Sequence, residues 1–228
     1  MTAWEPVSRA AAEGLRSLEL RWIFPGQLRD AVAKWFGRFP AVVESRQDAY
    51  LLDPPLPGLS VKIRGGGPFE VKVYRGSPGI LDVAECARGR MESWQKWSFP
   101  CDPPGQSSGE PAGWRLVDKT RHVSRFVKAD GSWRAGPAEL DEGPGCAAEL
   151  TKVRVQGEAW WTLGFEATGP AGTLRSELEA VAALVFAHTL PPGLEFGVHD
   201  SRSYAEWLRS RPGAERSQLQ PRSGGADR

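Results

Sequence analysis

The stretch Ser17-Leu18-Glu19-Leu20-Arg21-Trp22-Ile23-Phe24 decides the fold. Leu18, Leu20 and Trp22 alternate with Ser17, Glu19 and Arg21, the period of two that marks a strand with one apolar and one polar face. Pro25 and Gly26 stop it. Residues 27–38 follow with Leu28, Val32 and Trp35 on one stripe, which predicts a helix ended by Pro40. Residues 41–52 predict a second strand, closed by the Pro-rich stretch from Asp53 to Gly58.

Working outward, strands are predicted over 59–64 and 69–74, joined through Gly65, Gly66, Gly67 and Pro68 as a hairpin whose turn type the triple glycine leaves open. Further strands are predicted over 90–99 and 114–127, separated by a long loop at 100–113, with a turn at Asp130–Gly131. A last hairpin, 147–155 and 159–168, turns at Gln156–Gly157. Residues 173–190 predict the best helix, with Thr173 or Ser176 as N-cap and Pro191–Pro192 as stop. A short helix is expected within 200–209, with Tyr204, Trp207 and Leu208 on its apolar side. About eight strands with two or three flanking helices predict an α+β protein, an antiparallel sheet that curls or closes with helices packed outside. We expect a flexible lead-in over 1–14, a single domain over 15–210 and a disordered polar tail over 211–228.

Composition excludes several classes. The 228 residues carry 29 Lys or Arg against 28 Asp or Glu, a formal net charge of +1. An extended nucleic-acid binder or a polybasic membrane-surface protein normally shows a basic excess. No run of apolar residues is long enough for a transmembrane helix. The 26 Gly and 19 Pro favour many turns and short strands. Cys86, Cys101 and Cys146 lack the spacing of a zinc site or a disulfide framework. With no secretory n- and h-regions, a cytoplasmic protein is expected.

The second face of each strand is the informative one. It carries Glu19 and Arg21 in the first strand, and Lys62 and Arg64 opposite Glu70 and Lys72 in the Gly-turned hairpin. Lys119, Arg121 and Arg125 share one parity in the strand over 114–127. Glu149 and Thr151 share a face, and Glu166 lies opposite Trp161, Leu163 and Phe165. One reading makes these the solvated outer face of a sheet. The other closes the sheet into a barrel with a polar lumen and turns the apolar faces outward under the helices. Fixed Arg and Lys inside such a lumen suit a polyanion, and a few carboxylates beside them could hold a divalent ion.

On these residues the chain resembles the CYTH proteins, or triphosphate tunnel metalloenzymes. Leu18-Glu19-Leu20-Arg21 is similar to their opening Glu-x-Glu-x-Lys strand, with Ser17 at the first Glu and Arg21 at the Lys. Arg46-x-Asp48-x-Tyr50, Lys62-Ile63-Arg64 with Glu70-Val71-Lys72, Glu149-Leu150-Thr151 and Phe165-Glu166 resemble later strands. Gly164 stands where many members have a second acid. The resemblance implies an eight-stranded antiparallel tunnel acting on triphosphates with Mg²⁺ or Mn²⁺. It implies Glu19 and Glu166 as catalytic metal ligands, Glu149 as a third acidic candidate, and Arg21, Lys62, Arg64, Lys72 and Arg121 as phosphate holders. It implies a small phosphorylated ligand as partner, and a metal-dependent phosphohydrolase if the protein is an enzyme. A non-catalytic phosphate-binding module of the same fold is the alternative. A lipocalin-like barrel for an apolar ligand is a third, suggested by the 10 Trp.

Overall fold

The computed structural model describes residues 14–83, 87–100, 112–137 and 143–211. Among the described residues nine strands are present: β1 (Leu15–Pro25), β2 (Val42–Leu51), β3 (Leu59–Arg64), β4 (Phe69–Val83), β5 (Ala87–Phe99), β6 (Trp114–Ala129), β7 (Ser132–Pro137), β8 (Gly145–Val155) and β9 (Glu158–Thr168). They pair in the order β2-β3-β4-β5-β1-β9-β8-β6, and β6 pairs back with β2, so eight of them close a barrel. Every pairing is antiparallel. The ninth strand, β7, continues the same edge of β6 beyond the end of β2. The α-helices are α1 (Asp30–Phe36), α2 (Leu174–Phe186) and α3 (Tyr204–Arg209).

Of the two readings of the strand faces, the closed barrel is the one observed. Leu18, Leu20 and Trp22 of β1, Leu150 of β8 and Leu163 and Phe165 of β9 point outward. They form one buried core with Val32, Trp35 and Phe36 of α1 and Leu178, Val181 and Val185 of α2. Trp22 sits at its centre, fully buried, with its indole N–H donating to the carbonyl of Arg88 at 3.0 Å. The principal hydrophobic core therefore lies between the barrel wall and the helices. The lumen is left to the polar parity of each strand.

A second, smaller apolar cluster closes one end of the barrel. Ile23, Val117, Val153 and Val155 pack there against Trp207 and Leu208 of α3. Ser203 caps α3, its hydroxyl accepting from the N–H of Glu206 at 3.2 Å.

The structure corrects several boundaries. β4 does not end at residue 74. It runs to Val83 through Gly76 and Gly79, both at positive φ, with register shifts against β5 on each side of Gly76. These are bulges, which Gly accommodates and which read in sequence as turns. β7, not anticipated as a strand, pairs with β6 across the turn at Asp130–Gly131. α1 and α2 are shorter than expected. Neither proposed N-cap hydroxyl of α2 caps it: Thr173 donates to the carbonyl of Pro170 and Ser176 to that of Thr173. The turn left open between β3 and β4 has Gly65 and Gly66 both at positive φ, as a type I′ turn requires. Gly14 and Arg211 apart, the expected lead-in and tail lie outside the described residues, as do Cys86 and Cys101.

Gly89 on β5 marks the tightest contact in the outer core. A Cβ there would lie 2.5 Å from Leu20 Cδ1 and 2.8 Å from Trp22 Cζ2. Gly89→Ala is expected to destabilise the barrel by about 1–3 kcal/mol through overpacking, measured by urea unfolding. An unchanged midpoint would contradict this packing.

Candidate functional site

The polar parity of all eight barrel strands converges on one cavity. Around it stand Glu19 and Arg21 (β1), Arg46 and Tyr50 (β2), Lys62 (β3), Lys72 (β4), Arg90, Glu92 and Trp94 (β5), Lys119 and Arg121 (β6), Glu149 (β8) and Glu166 (β9). The segment that leads into α3 adds Arg202 and Ser203, and α3 itself adds Tyr204. Register explains the meeting of β1, β8 and β9: Glu19 lies opposite Glu166, Arg21 opposite Gly164, and Gly164 in turn opposite Glu149. Eight Arg or Lys side chains line this cavity against four carboxylates.

The lumen's carboxylates hold its cations in place. Arg21 donates to Glu149 Oε1 at 3.1 Å and to Thr162 Oγ1 at 3.1 Å. Arg121 donates through Nε to Glu149 Oε2 at 2.9 Å and through Nη1 to Glu44 Oε2 at 2.7 Å. Thr151 Oγ1 adds a hydrogen bond to Glu149 Oε1 at 2.6 Å. Lys62 pairs with Glu70 at 2.9 Å. Lys72 donates to Glu19 at 2.6 Å and lies 3.6 Å from Glu166. With these side chains folded inward the cavity is about 80 Å³, far below the roughly 300–1,000 Å³ of ordinary ligand pockets.

Burial in this setting sets the charge states. Burial alone would raise the carboxyl of Glu70, but Lys62 and Arg64 hold it at about 2. Burial likewise opposes Lys72 and Lys96, which hold Glu166 at about 2. Glu149 is buried, yet Arg121 and Arg21 keep it well below the usual carboxylate range. Lys72 shows the reciprocal effect: despite burial, Glu166 and Glu19 keep its ammonium above the ordinary lysine value.

Three lumen carboxyl or ammonium groups move the other way, Lys62 among them, lowered by burial although Asp48 and Glu70 oppose it. Burial pushes Glu92 up to about 7. Burial, reinforced by Lys62, brings Lys119 down to about 7 even though it donates to Asp48 Oδ2 at 2.8 Å. Lys119 also donates to the Tyr50 hydroxyl at 2.7 Å, and its ammonium lies 3.9 Å from the centre of the Tyr204 ring.

Of the residues singled out in sequence, Glu19, Arg21, Lys62, Lys72, Arg121, Glu149 and Glu166 line the one cavity. Arg64 does not. It pairs with Glu70 at 3.4 Å, one residue short of the hairpin turn. The reading missed Arg46, Asp48, Tyr50, Lys119 and Tyr204 as members of the site. Parity places Lys119 on the face of Arg121, and it places Asp48 with Tyr50 on one face of β2, opposite Arg64 and Lys62. Tyr204 comes from a helix laid over the barrel end, and strand parity says nothing about it.

The carboxylates do not fit a resident divalent ion. Glu19 and Glu166 are neighbours across β1 and β9, but the Lys72 ammonium already lies against both. Glu149 is committed to two guanidinium groups. Among the described residues no group of three or more His, Cys, Asp or Glu could hold a metal.

No protein-family model and no curated protein sequence matches this chain. Solved structures do. A conserved hypothetical protein from Pyrococcus furiosus is 17% identical, with a TM-score of 0.40, over 82% of this chain and 98% of that one. The S. pombe Pct1 RNA triphosphatase is 10% identical, with a TM-score of 0.37, over 76% of this chain and 78% of that one. Overlays this loose carry no functional argument. The barrel itself is the closed antiparallel tunnel that the CYTH resemblance implied. Among the described residues no helix is long and apolar enough to cross a membrane.

The low carboxyl values have a consequence for stability. Glu70 and Glu166 sit at about 2 in the folded protein against an ordinary 4.5. A carboxyl depressed by folding contributes stability that is complete above its unfolded value and is lost as pH falls through its folded one. The urea midpoint is therefore expected to fall steadily between about pH 5 and pH 2. A flat midpoint across that window would show that these pairs do not hold the barrel together.

Proposed function

We propose that this protein binds a compact polyanion, a triphosphate or another condensed or organic phosphate, inside the barrel. The observation that carries the reading is the cavity lining, eight cations against four carboxylates, in a chain whose total charge is almost balanced. Guanidinium groups suit forked contacts to phosphate oxygens, and Arg21 and Arg121 approach the cavity from opposite sides of Glu149. An incoming phosphate can take over the hydrogen bonds that these two arginines make to Glu149, whose carboxylate keeps the Thr151 hydroxyl as a donor. An enclosed lumen with one end closed by α3 admits a small ligand and not a long duplex lying across the surface.

Hydrolysis of the bound phosphate is a second reading, favoured by Lys119. An amine held near 7 beside a tyrosine hydroxyl is half neutral at physiological pH and can accept a proton from an attacking water. The lipocalin-like alternative has no support in the site, since the outward apolar faces are filled by α1 and α2 and the lumen is charged.

Calorimetry with tripolyphosphate at moderate salt tests the binding reading. One saturable site is expected. Arg21→Met should weaken it about tenfold or more, the loss of a charge-assisted contact. Lys152→Met, on the outer face, should change it less than about twofold. Absence of saturable binding, or equal loss in both variants, would contradict a site in the lumen. Phosphate release from tripolyphosphate, ATP and thiamine triphosphate, with and without Mg²⁺ or Mn²⁺, separates the two readings. Turnover that rises through about pH 7 and is lost in Lys119→Met would support hydrolysis.

A further inference from the structure

The positions where the CYTH resemblance calls for more carboxylates are occupied in a consistent way. Ser17 stands at the first acid of the opening strand, and its hydroxyl donates to Glu19 Oε1 at 2.8 Å. The same oxygen accepts from Lys72 Nζ at 2.6 Å. Gly164 stands at the acid of the late strand. A Cβ there would lie 2.9 Å from Arg21 Cζ and 3.0 Å from Arg21 Nη1. The missing side chain is therefore the space that the Arg21 guanidinium fills. One expected carboxylate is replaced by a hydroxyl that consumes acceptor capacity on Glu19, and the other by room for a cation.

The surroundings extend the pattern. Lys72, Lys96, Lys62 and Arg21 all act electrostatically on Glu166. A free divalent ion placed between Glu19 and Glu166 would have to expel the Lys72 ammonium and would meet the remaining cations at short range. A polyanion meets the opposite situation. In a triphosphate ester each inner phosphate keeps one charge and the terminal phosphate nearly two, about −4 in all. The lining has eight cations against four carboxylates, and Glu44, Asp48 and Glu70 just behind it pair with Arg121, Lys119 and Lys62. A metal-free polyanion brings negative charge to these cations, whereas the same ligand carrying Mg²⁺ brings a further cation among them.

We propose that the barrel takes its polyanion metal-free, with Lys72 seated between Glu19 and Glu166 as the built-in cation in place of a divalent ion. The inference rests on the reading of the lumen as a phosphate site.

Calorimetry with tripolyphosphate in EDTA and in Mg²⁺, together with Mn²⁺ titration of the free protein followed by electron paramagnetic resonance, tests it. Affinity in EDTA is expected to equal or exceed that in Mg²⁺, with no stoichiometric Mn²⁺ site in the free protein. Lys72→Met should weaken metal-free binding about tenfold or more, and Ser17→Glu combined with Lys72→Met should gain a Mn²⁺ signal that the wild type lacks. Binding at least about tenfold tighter in Mg²⁺ than in EDTA, or tight Mn²⁺ binding by the free wild type, would overturn the proposal and leave the phosphate reading intact. Absence of tripolyphosphate binding in either buffer would overturn the phosphate reading itself. The wild-type arms decide the question even if a variant fails to fold.

Discussion

The pairing of Glu149 with Arg21 and Arg121 is the interaction on which the rest of this structure depends. Three largely buried ionic groups from β1, β6 and β8 meet inside a closed barrel, and none of them tolerates that position alone. Their mutual neutralisation allows a sheet to turn its charged faces inward. Once it does, the other consequences follow. The apolar parity must face outward, so it requires α1 and α2 as a cover. The end of the barrel needs α3, whose Trp207 and Leu208 meet the apolar residues Ile23, Val117 and Val153.

This arrangement inverts the usual placement of a core and links stability to function. A buried ion pair contributes little net stability beyond what apolar packing would supply, but breaking one is costly. The lumen is therefore held in a state that is satisfied only while each cation has an anionic partner. Glu149 serves as that partner for Arg21 and Arg121. In the proposed function a phosphate takes that place, and the Glu149 carboxylate is then left with the Thr151 hydroxyl as its partner.

Much of this was legible in the sequence because strand parity is strict. Leu18, Leu20 and Trp22 against Glu19 and Arg21 separated the two faces of β1, and the same alternation placed Lys62, Lys72, Arg121, Glu149 and Glu166 on polar faces before their meeting point was known. Parity could not say which way the polar face turns. Closure of β6 onto β2 settles that, and it is a long-range pairing with no local signal. The far half of β4 was hidden because Gly76, Pro78 and Gly79 read as punctuation while the chain uses them as bulges. Tyr204 was recognised as part of an apolar helix face, yet its ring lies under Arg21 and Lys119. Only the docking of α3 on the barrel end gives it that role. Gly164 looked like the loss of an acid, and the position of the Arg21 guanidinium gives that loss a physical sense.

The most direct measurement is a crystal structure of the full chain grown with tripolyphosphate. The account requires phosphate density inside the barrel, within hydrogen-bond distance of Arg21, Lys72 and Arg121, with the Glu149 carboxylate turned away from the two guanidinium groups it now holds. Density on the outer sheet near Lys152 and Arg154, with the Glu149 pairs intact, would contradict it.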